Sequence, residues 1–220
     1  MEPRVYAFDA YGTLFDVHAA VAAHRAEVGA HADALSAMWR QKQLEYSWVR
    51  ALTGRYRDFW ALTAEALDTA IAATGPVPAD VRARLLSAYR RLSAYPEVAA
   101  VLTELRGRGA TIAILSNGSP AMLASAVDAA GLGGLVDASL SVDPLRTYKT
   151  APAAYGLVTD RFGVAPADVS FQSSNRWDIA GAHAFGFRTV WINRAGAPDE
   201  YPDLPPDRTV RSLDALLAEA

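Results

Sequence analysis

Arg4-Val5-Tyr6-Ala7-Phe8-Asp9-Ala10-Tyr11-Gly12-Thr13-Leu14-Phe15-Asp16 begins with an apolar run of β-forming residues, stops at an acid, and reaches a glycine three residues later that lets the backbone turn sharply. Asp9 is thereby expected at the carboxyl end of a strand. In an open α/β sheet ligands bind along that edge, so a carboxylate there is a candidate for chemistry. Within this segment alone, a turn-capping role for Asp9 explains the residue equally well.

Beyond this stretch the sequence changes character. From about Val17 to Leu92 it is rich in Ala, Leu, Arg and aromatic residues and lacks short β-branched runs. It reads as several helices broken near Gly29, Gly54 and Gly75-Pro76-Val77-Pro78. One helix is expected over roughly Ala32 to Leu52, with Arg40 and Leu44 four apart on one face.

From Pro96 onward helices and strands alternate. A helix over Glu97 to Arg108 leads to a strand over Ala110 to Leu115 that stops at Ser116-Asn117-Gly118, and Pro120 opens the next helix. A short strand over Ala138 to Val142 precedes Lys149 and a helix over Ala151 to Phe162. The strand Val169 to Gln172 ends at Ser173-Ser174-Asn175, and a helix is expected to begin close to Asp178. The strand Arg188 to Ile192, a Pro- and Asp-rich loop and a terminal helix ending at Ala220 complete the chain. This order predicts an α/β fold, a doubly wound, Rossmann-like parallel sheet with an inserted helical cap. The core is assigned to 1–15 and 96–220, the cap to 16–95.

Composition sets the outer limits. The 220 residues suffice for one sizeable core or a core with a smaller insert, and 51% hydrophobic with 20% charged residues is ordinary for a globular protein. A net charge of −3 without any basic run gives no footprint for nucleic acid. The absence of cysteine excludes disulfides, thiolate catalysis and Cys-ligated zinc. With no signal-like start and no apolar stretch long enough for a bilayer, the protein is expected to be cytoplasmic, with no membrane partner. His18, His24, His31 and His183 lack metal-ligand spacing and read as structural or surface residues.

In a doubly wound sheet the strand ends meet on one rim, which would gather Asp9, Ser116-Asn117, Lys149 and the 173–178 segment. Each has an ordinary explanation alone: Ser116 and Asn117 as turn formers, Lys149 as a solvated lysine, Asp178 as a helix-start charge. Their conjunction at four strand ends favours chemistry over coincidence.

The four segments resemble, in order, the four motifs of the haloacid dehalogenase superfamily, and more narrowly its L-2-haloacid dehalogenases. The similarity lies in Phe8-Asp9-Ala10-Tyr11-Gly12-Thr13-Leu14, Trp39-Arg40-Gln41-Lys42-Gln43-Leu44-Glu45-Tyr46 and Gly54-Arg55-Tyr56-Arg57-Asp58-Phe59-Trp60. It continues in Leu115-Ser116-Asn117-Gly118, Tyr148-Lys149 with Tyr155, and Ser173-Ser174-Asn175-Arg176-Trp177-Asp178. Phosphatase-like members carry a second Asp two residues after the nucleophile and a Gly-Asp pair before the last acid. Here those places hold Tyr11 and Ser173-Ser174, which removes oxygen ligands that magnesium needs and implies a metal-independent nucleophile without cofactor.

The resemblance implies hydrolysis of short L-2-haloalkanoic acids to D-2-hydroxy acids. Ionised Asp9 would displace halide from C2 with inversion, and water would cleave the resulting ester. A halide leaves without a proton, so Tyr11 costs this chemistry nothing. Lys149 would pair with the Asp9 carboxylate, Thr13 and Ser173 would fix its direction, and Asp178 would activate water placed by Asn175. Ser116, with backbone near Tyr11, would hold the substrate carboxylate. Arg40 and Asn117 would receive the halide. Tyr11, Gln41, Leu44, Phe59 and Trp177 would line the pocket, and Tyr155 would support Lys149 and Asp9 from the substrate-binding group.

The resemblance also implies a homodimer. One departure is the Thr150-Ala151-Pro152 that stands where the family continues Pro-Asp-Pro, which is expected to loosen the start of the following helix and the placement of Lys149. Alternatives on the same fold are a hydrolase of a fluorinated acid or strained ring amino acid, a magnesium-dependent phosphatase, and a non-catalytic binding protein.

Overall fold

The structure, a computed structural model, describes residues 3–218. Six strands form one parallel sheet: β1 (Val5–Asp9), β2 (Thr111–Ser116), β3 (Ala138–Ser141), β4 (Val169–Ser173), β5 (Arg188–Ile192) and β6 (Arg208–Val210), in the spatial order β3-β2-β1-β4-β5-β6. β1 is central and its Val5, Ala7 and Phe8 are buried, as a parallel strand covered on both faces requires. The chain leaves β1 toward β2 on one side and reaches β4 on the other, so the topological switch lies between β1 and β4. Phe8 pairs with Gln172 and Asp9 with Leu115, which brings the ends of β1, β2 and β4 to one level.

Among the described residues nine α-helices accompany the sheet. α1 (Ala19–Ala22), α2 (Arg25–Val28), α3 (Ala32–Leu52), α4 (Phe59–Thr74) and α5 (Ala79–Tyr89) lie between β1 and β2 in sequence, followed by α6 (Val98–Gly107). α7 (Pro120–Ala129), α8 (Pro152–Phe162) and α9 (Arg176–Phe185) connect the later strands. Right-handed crossovers place α6 and α7 on one face of the sheet and α8 and α9 on the other. No described helix is long and apolar enough to cross a membrane.

The inserted helices leave and rejoin the sheet side by side. Asp16 N donates to Ser93 O at 3.0 Å and Tyr95 N to Leu14 O at 2.9 Å. One continuous hydrophobic core runs from the sheet through Tyr11, Leu14 and Phe15 to Leu35, Trp39, Leu62 and Leu85. Within the insertion α3 and α4 form a hairpin, pinned where Trp39 Nε1 donates to Thr63 O at 2.8 Å.

The sequence-based helix over 32–52 coincides with α3. Besides one-residue shifts at several ends, three features differ. α9 begins at Arg176 because Asn175 takes extended backbone as its N-cap, leaving Asp178 in the first turn. β6, only three residues long and flanked by polar loop, was not expected and extends the sheet beyond β5. The terminal helix is a 3-10 segment over Leu213–Ala218, and its anticipated end at Ala220 lies outside the described residues.

Candidate active site

After β1 the chain folds back on itself. Thr13, Leu14 and Phe15 all direct their backbone N–H to Ala10 O, and Gly12 supplies the left-handed φ of 95° that this tight loop needs. The fold-back brings the Thr13 hydroxyl to the carboxylate of Asp9, the last residue of β1, with Oγ1 donating to Oδ2 at 3.0 Å.

Two more donors come from β4 and its exit. Asn175 Nδ2 reaches Asp9 Oδ2 at 2.8 Å and Ser173 Oγ at 3.4 Å. The β4 loop is tied to the β1 loop by Ser174 N, which donates to Thr13 Oγ1 at 2.8 Å. Asn175 occupies the N-cap of α9, yet its side chain caps nothing and turns to Asp9 and to Tyr11 O. An N-cap side chain is ordinarily worth about 1 kcal/mol to its helix, so the residue serves the site instead of the helix end.

The other oxygen, Asp9 Oδ1, accepts from Lys149 Nζ at 3.0 Å, and the same ammonium donates to Asp178 Oδ2 at 2.8 Å. Lys149 is held despite the altered residues after it: its backbone N–H donates to Asn117 Oδ1 at 2.9 Å, and Pro152 occupies the first turn of α8. The expected loosening is therefore not seen. Burial works most strongly against the Lys149 ammonium, but the charges of Asp178 and Asp9 outweigh it and leave its pKa raised.

Asp178 is inaccessible, and burial pushes its carboxyl up from 3.8 to about 6; Lys149 opposes the rise and Asp9 adds to it. Tyr155 OH donates to Asp178 Oδ1 at 2.8 Å. Tyr155, itself buried, thus touches Asp178 and not Asp9, and it lies behind the acid rather than in a substrate pocket. Asn175, expected to help place a hydrolytic water, turns its amide to Asp9.

Ser116 ends β2, buried, and accepts from Gly118 N at 3.0 Å. The Tyr11 ring lies over this turn so closely that a Cβ on Gly118 would stand 2.8 Å from Tyr11 Cε2. Phe59 is buried against Tyr11 and Tyr148, with ring centroids 6.2 and 5.8 Å away.

Arg40 reaches the site from α3, donating to Tyr11 O at 3.0 Å and Asn175 Oδ1 at 3.3 Å. A cavity of about 450 Å³ opens beside Gly12, Arg40, Asn175 and Trp177. Leu44, Phe59, Ser116 and Asn117 are not in its wall, and Gln41 is exposed on α3. The anticipated lining residues are thus only partly gathered around one open space. Sequence reasoning left out of the site Gln43, which accepts from Arg40, and Thr63 and Tyr89, which are buried against Gln43. The spacing of Gln43 three residues after Arg40 was a usable signal; nothing local marks the other two.

Residues 3–186 match the family model of a haloacid dehalogenase-like hydrolase. Over 218 residues, 98% of this chain and 96% of the relative, the sequence is 50% identical to (S)-2-haloacid dehalogenase 1 of Pseudomonas sp. (strain CBS-3). Among solved structures, a dehalogenase superposes with a TM-score of 0.96 at 49% identity, covering 99% of this chain and 97% of the other. An L-2-haloacid dehalogenase from Xanthobacter autotrophicus with chloropropionic acid covalently bound superposes with a TM-score of 0.88 at 40% identity, covering 98% and 97%.

Proposed function

The chain belongs to the haloacid dehalogenase-like hydrolase family, and from that membership we propose that it hydrolyses short L-2-haloalkanoic acids to D-2-hydroxy acids through an ester on Asp9. The observation that carries the reading is the unequal setting of the two Asp9 oxygens. Oδ2 receives three donors, Thr13, Ser173 and Asn175, whereas Oδ1 meets Lys149 alone.

In the proposed first step Oδ1 attacks C2 opposite the halogen, the carbon–halogen bond breaks with its electron pair on halide, and C2 inverts. The three donors on Oδ2 fix the carboxylate plane for in-line approach. Arg40, with the Asn117 amide, receives the charge that develops on the halide, and Ser116 with the turn below Tyr11 holds the substrate carboxylate. No leaving-group proton is required, which suits Tyr11 in a place where an acid would otherwise stand.

In the second step water attacks the Asp9 carbonyl carbon. The oxygen that becomes negative is Oδ2, already facing its three donors. Asp178, with its pKa lifted to about 6, takes the water proton and returns it to the leaving Oδ1 as the bond from that oxygen to the Asp9 carbonyl carbon breaks, which releases the hydroxy acid and restores the Asp9 carboxyl group. Each step is assigned to side chains of this protein, with Lys149 supplying the positive charge between the two carboxylates.

Residues 16–95 act in this reading as a cap that brings Arg40, Leu44 and Phe59 over the core formed by 1–15 and 96–220, while Trp177 borders the opening from the core side. A cytoplasmic homodimer belongs to the same reading. Val49 and Leu52, 52% and 88% exposed near the end of α3, offer it apolar surface, and a monomer by sedimentation at working concentration would discard it.

The test is halide release from each enantiomer of 2-chloropropionate, with and without a chelator, alongside Asp9→Asn. Chelator-resistant release from the L enantiomer alone, abolished in the variant, is expected. Metal-dependent phosphate release from a phosphomonoester, with no halide from either enantiomer, would overturn the reading.

A further inference from the structure

Arg40 has an unusual set of partners for a guanidinium near a buried site: Gln43 Oε1 at 2.8 Å, Tyr11 O at 3.0 Å and Asn175 Oδ1 at 3.3 Å. All three are neutral acceptors. A cation in such a place is usually paired with a carboxylate, which would fix its position but cancel its charge.

The Gln43 amide is itself held in one orientation by a directional chain. Thr63 Oγ1 donates to Phe59 O at 2.7 Å, so its hydrogen is committed and it can only accept from Gln43 Nε2, 2.7 Å away. With Nε2 turned to Thr63, Oε1 must face Arg40, which can only donate. Tyr89 OH closes the cluster, lying 3.0 Å from Gln43 Nε2 and 3.1 Å from Oε1, with its ring stacked on Tyr11 at 5.8 Å and 12°. Gln43, Thr63 and Tyr89 are 1%, 0% and 3% exposed, so water does not replace these bonds.

We infer that Gln43, oriented by Thr63, is a positioning residue that aims Arg40 at the departing halide while leaving the guanidinium charge uncompensated. Its acceptor fixes the angle of the cation, and its neutrality preserves the attraction for an anion. The same chain ends on the Phe59 carbonyl one turn back along α4, so the aim of the cation is anchored to the backbone of that helix. This inference rests on the reading of Arg40 as the halide-receiving group.

The chemistry gives the device a distinct signature. Chloride concentrates its charge more than bromide and leaves less readily, so its transition state draws more on a well-aimed cation. Misaiming Arg40 is therefore felt more with a chlorinated than with a brominated substrate, and only in the ester-forming step.

The experiment measures single-turnover ester formation and kcat/KM for L-2-chloropropionate and L-2-bromopropionate in the wild type, Gln43→Met, Gln43→Glu, Thr63→Val and Thr63→Ser, with folding followed by Tm. Gln43→Met and Thr63→Val are expected to lose roughly ten- to a hundredfold with the chloro acid and distinctly less with the bromo acid. Thr63→Ser keeps the hydroxyl and is expected to retain the wild-type ratio of the two substrates. Gln43→Glu keeps the acceptor but pairs the charge, and is expected to raise KM for both anionic substrates. In an Arg40→Lys background Gln43→Met should add little, because the two act as one unit.

Equal losses for the two halogens, or full additivity with Arg40→Lys, overturn the positioning role. If Gln43→Met does not fold, the Thr63→Val and Thr63→Ser pair decides by the same ratio. A wild type that releases halide but is indifferent to Arg40→Lys would instead remove the role given to Arg40, and an inactive wild type would remove the function itself.

Discussion

Lys149 donates to Asp178 at 2.8 Å where neither side chain is accessible to solvent, so the two form a buried ion pair. The ammonium also neutralises Asp9. Lys149→Met would leave two neighbouring buried carboxylates without a cation, a defect worth about 3–5 kcal/mol. Activity should vanish and Tm should fall. Because the Asp178 carboxyl already titrates above its unfolded value, and loses the Lys149 charge that opposed the rise, the variant takes up protons more readily folded than unfolded. Its Tm deficit should then be small at about pH 4 and grow as pH rises through and beyond about 6. Thermal denaturation across that range checks this; a deficit that shrinks with rising pH contradicts it.

Activity should show an acid limb where Asp178 ionises, near pH 6 rather than in the ordinary carboxylate range. The Tyr155 hydroxyl stabilises the ionised form through its bond to Oδ1. Tyr155→Phe removes that support, so the limb should move to higher pH, while Asp9 and its donors stay in place. A pH profile of single-turnover ester hydrolysis in both proteins gives the answer, and a shift downward would show that the limb belongs to another group.

Gly181 tests the same link from behind. A Cβ there would collide with Tyr155 OH and stand 2.8 Å from Thr150 Cγ2. Gly181→Ala should cost about 1–3 kcal/mol through overpacking and push Tyr155 off Asp178. The acid limb should move in the direction given by Tyr155→Phe. A stable variant with an unchanged profile would mean the collision is relieved without disturbing the acid.

The choice of oxygen has a direct readout. If water attacks the Asp9 carbonyl carbon, a single turnover in heavy-oxygen water with enzyme in excess should place the label in Asp9 and not in the hydroxy acid. Mass spectrometry of the peptide containing Asp9 measures it. Label in the first-turnover product instead would mean that water attacks C2 directly, with no ester.

The positions of Asp9, Ser116 and Ser173 at the rim were legible because each ends a run of strand-forming residues, and parallel strands bring their ends to one edge; Lys149, eight residues beyond β3, was placed by its motif. Arg40 was placed by its surroundings on α3, not by any strand. That the amide of Asn175 turns to Asp9 and the hydroxyl of Tyr155 to Asp178 was not legible. Both depend on which way a side chain turns within a crowded layer, and spacing does not encode that. Thr63 and Tyr89 were missed for a further reason. They meet Gln43 across the α3–α4 hairpin and from α5, and an isolated hydroxyl on a mostly apolar helix face carries no periodic mark. β6 escaped notice because three residues on the sheet edge are too few to alternate.

The order of the sheet also sets a timetable. β1 precedes every other strand of this sheet in the chain, yet it finds its neighbours only when β2 and β4 arrive, and of the groups that grip the Asp9 carboxylate only Thr13 is made with it, the others coming from 149, 173 and 175. Until then an apolar strand destined for the middle of the molecule waits unpaired, the circumstance in which nascent chains are most exposed to aggregation and to capture by chaperones. The earliest strand of this sheet is thus paired on both sides only when the fourth arrives, and the appearance of halide-releasing activity during synthesis would time that pairing.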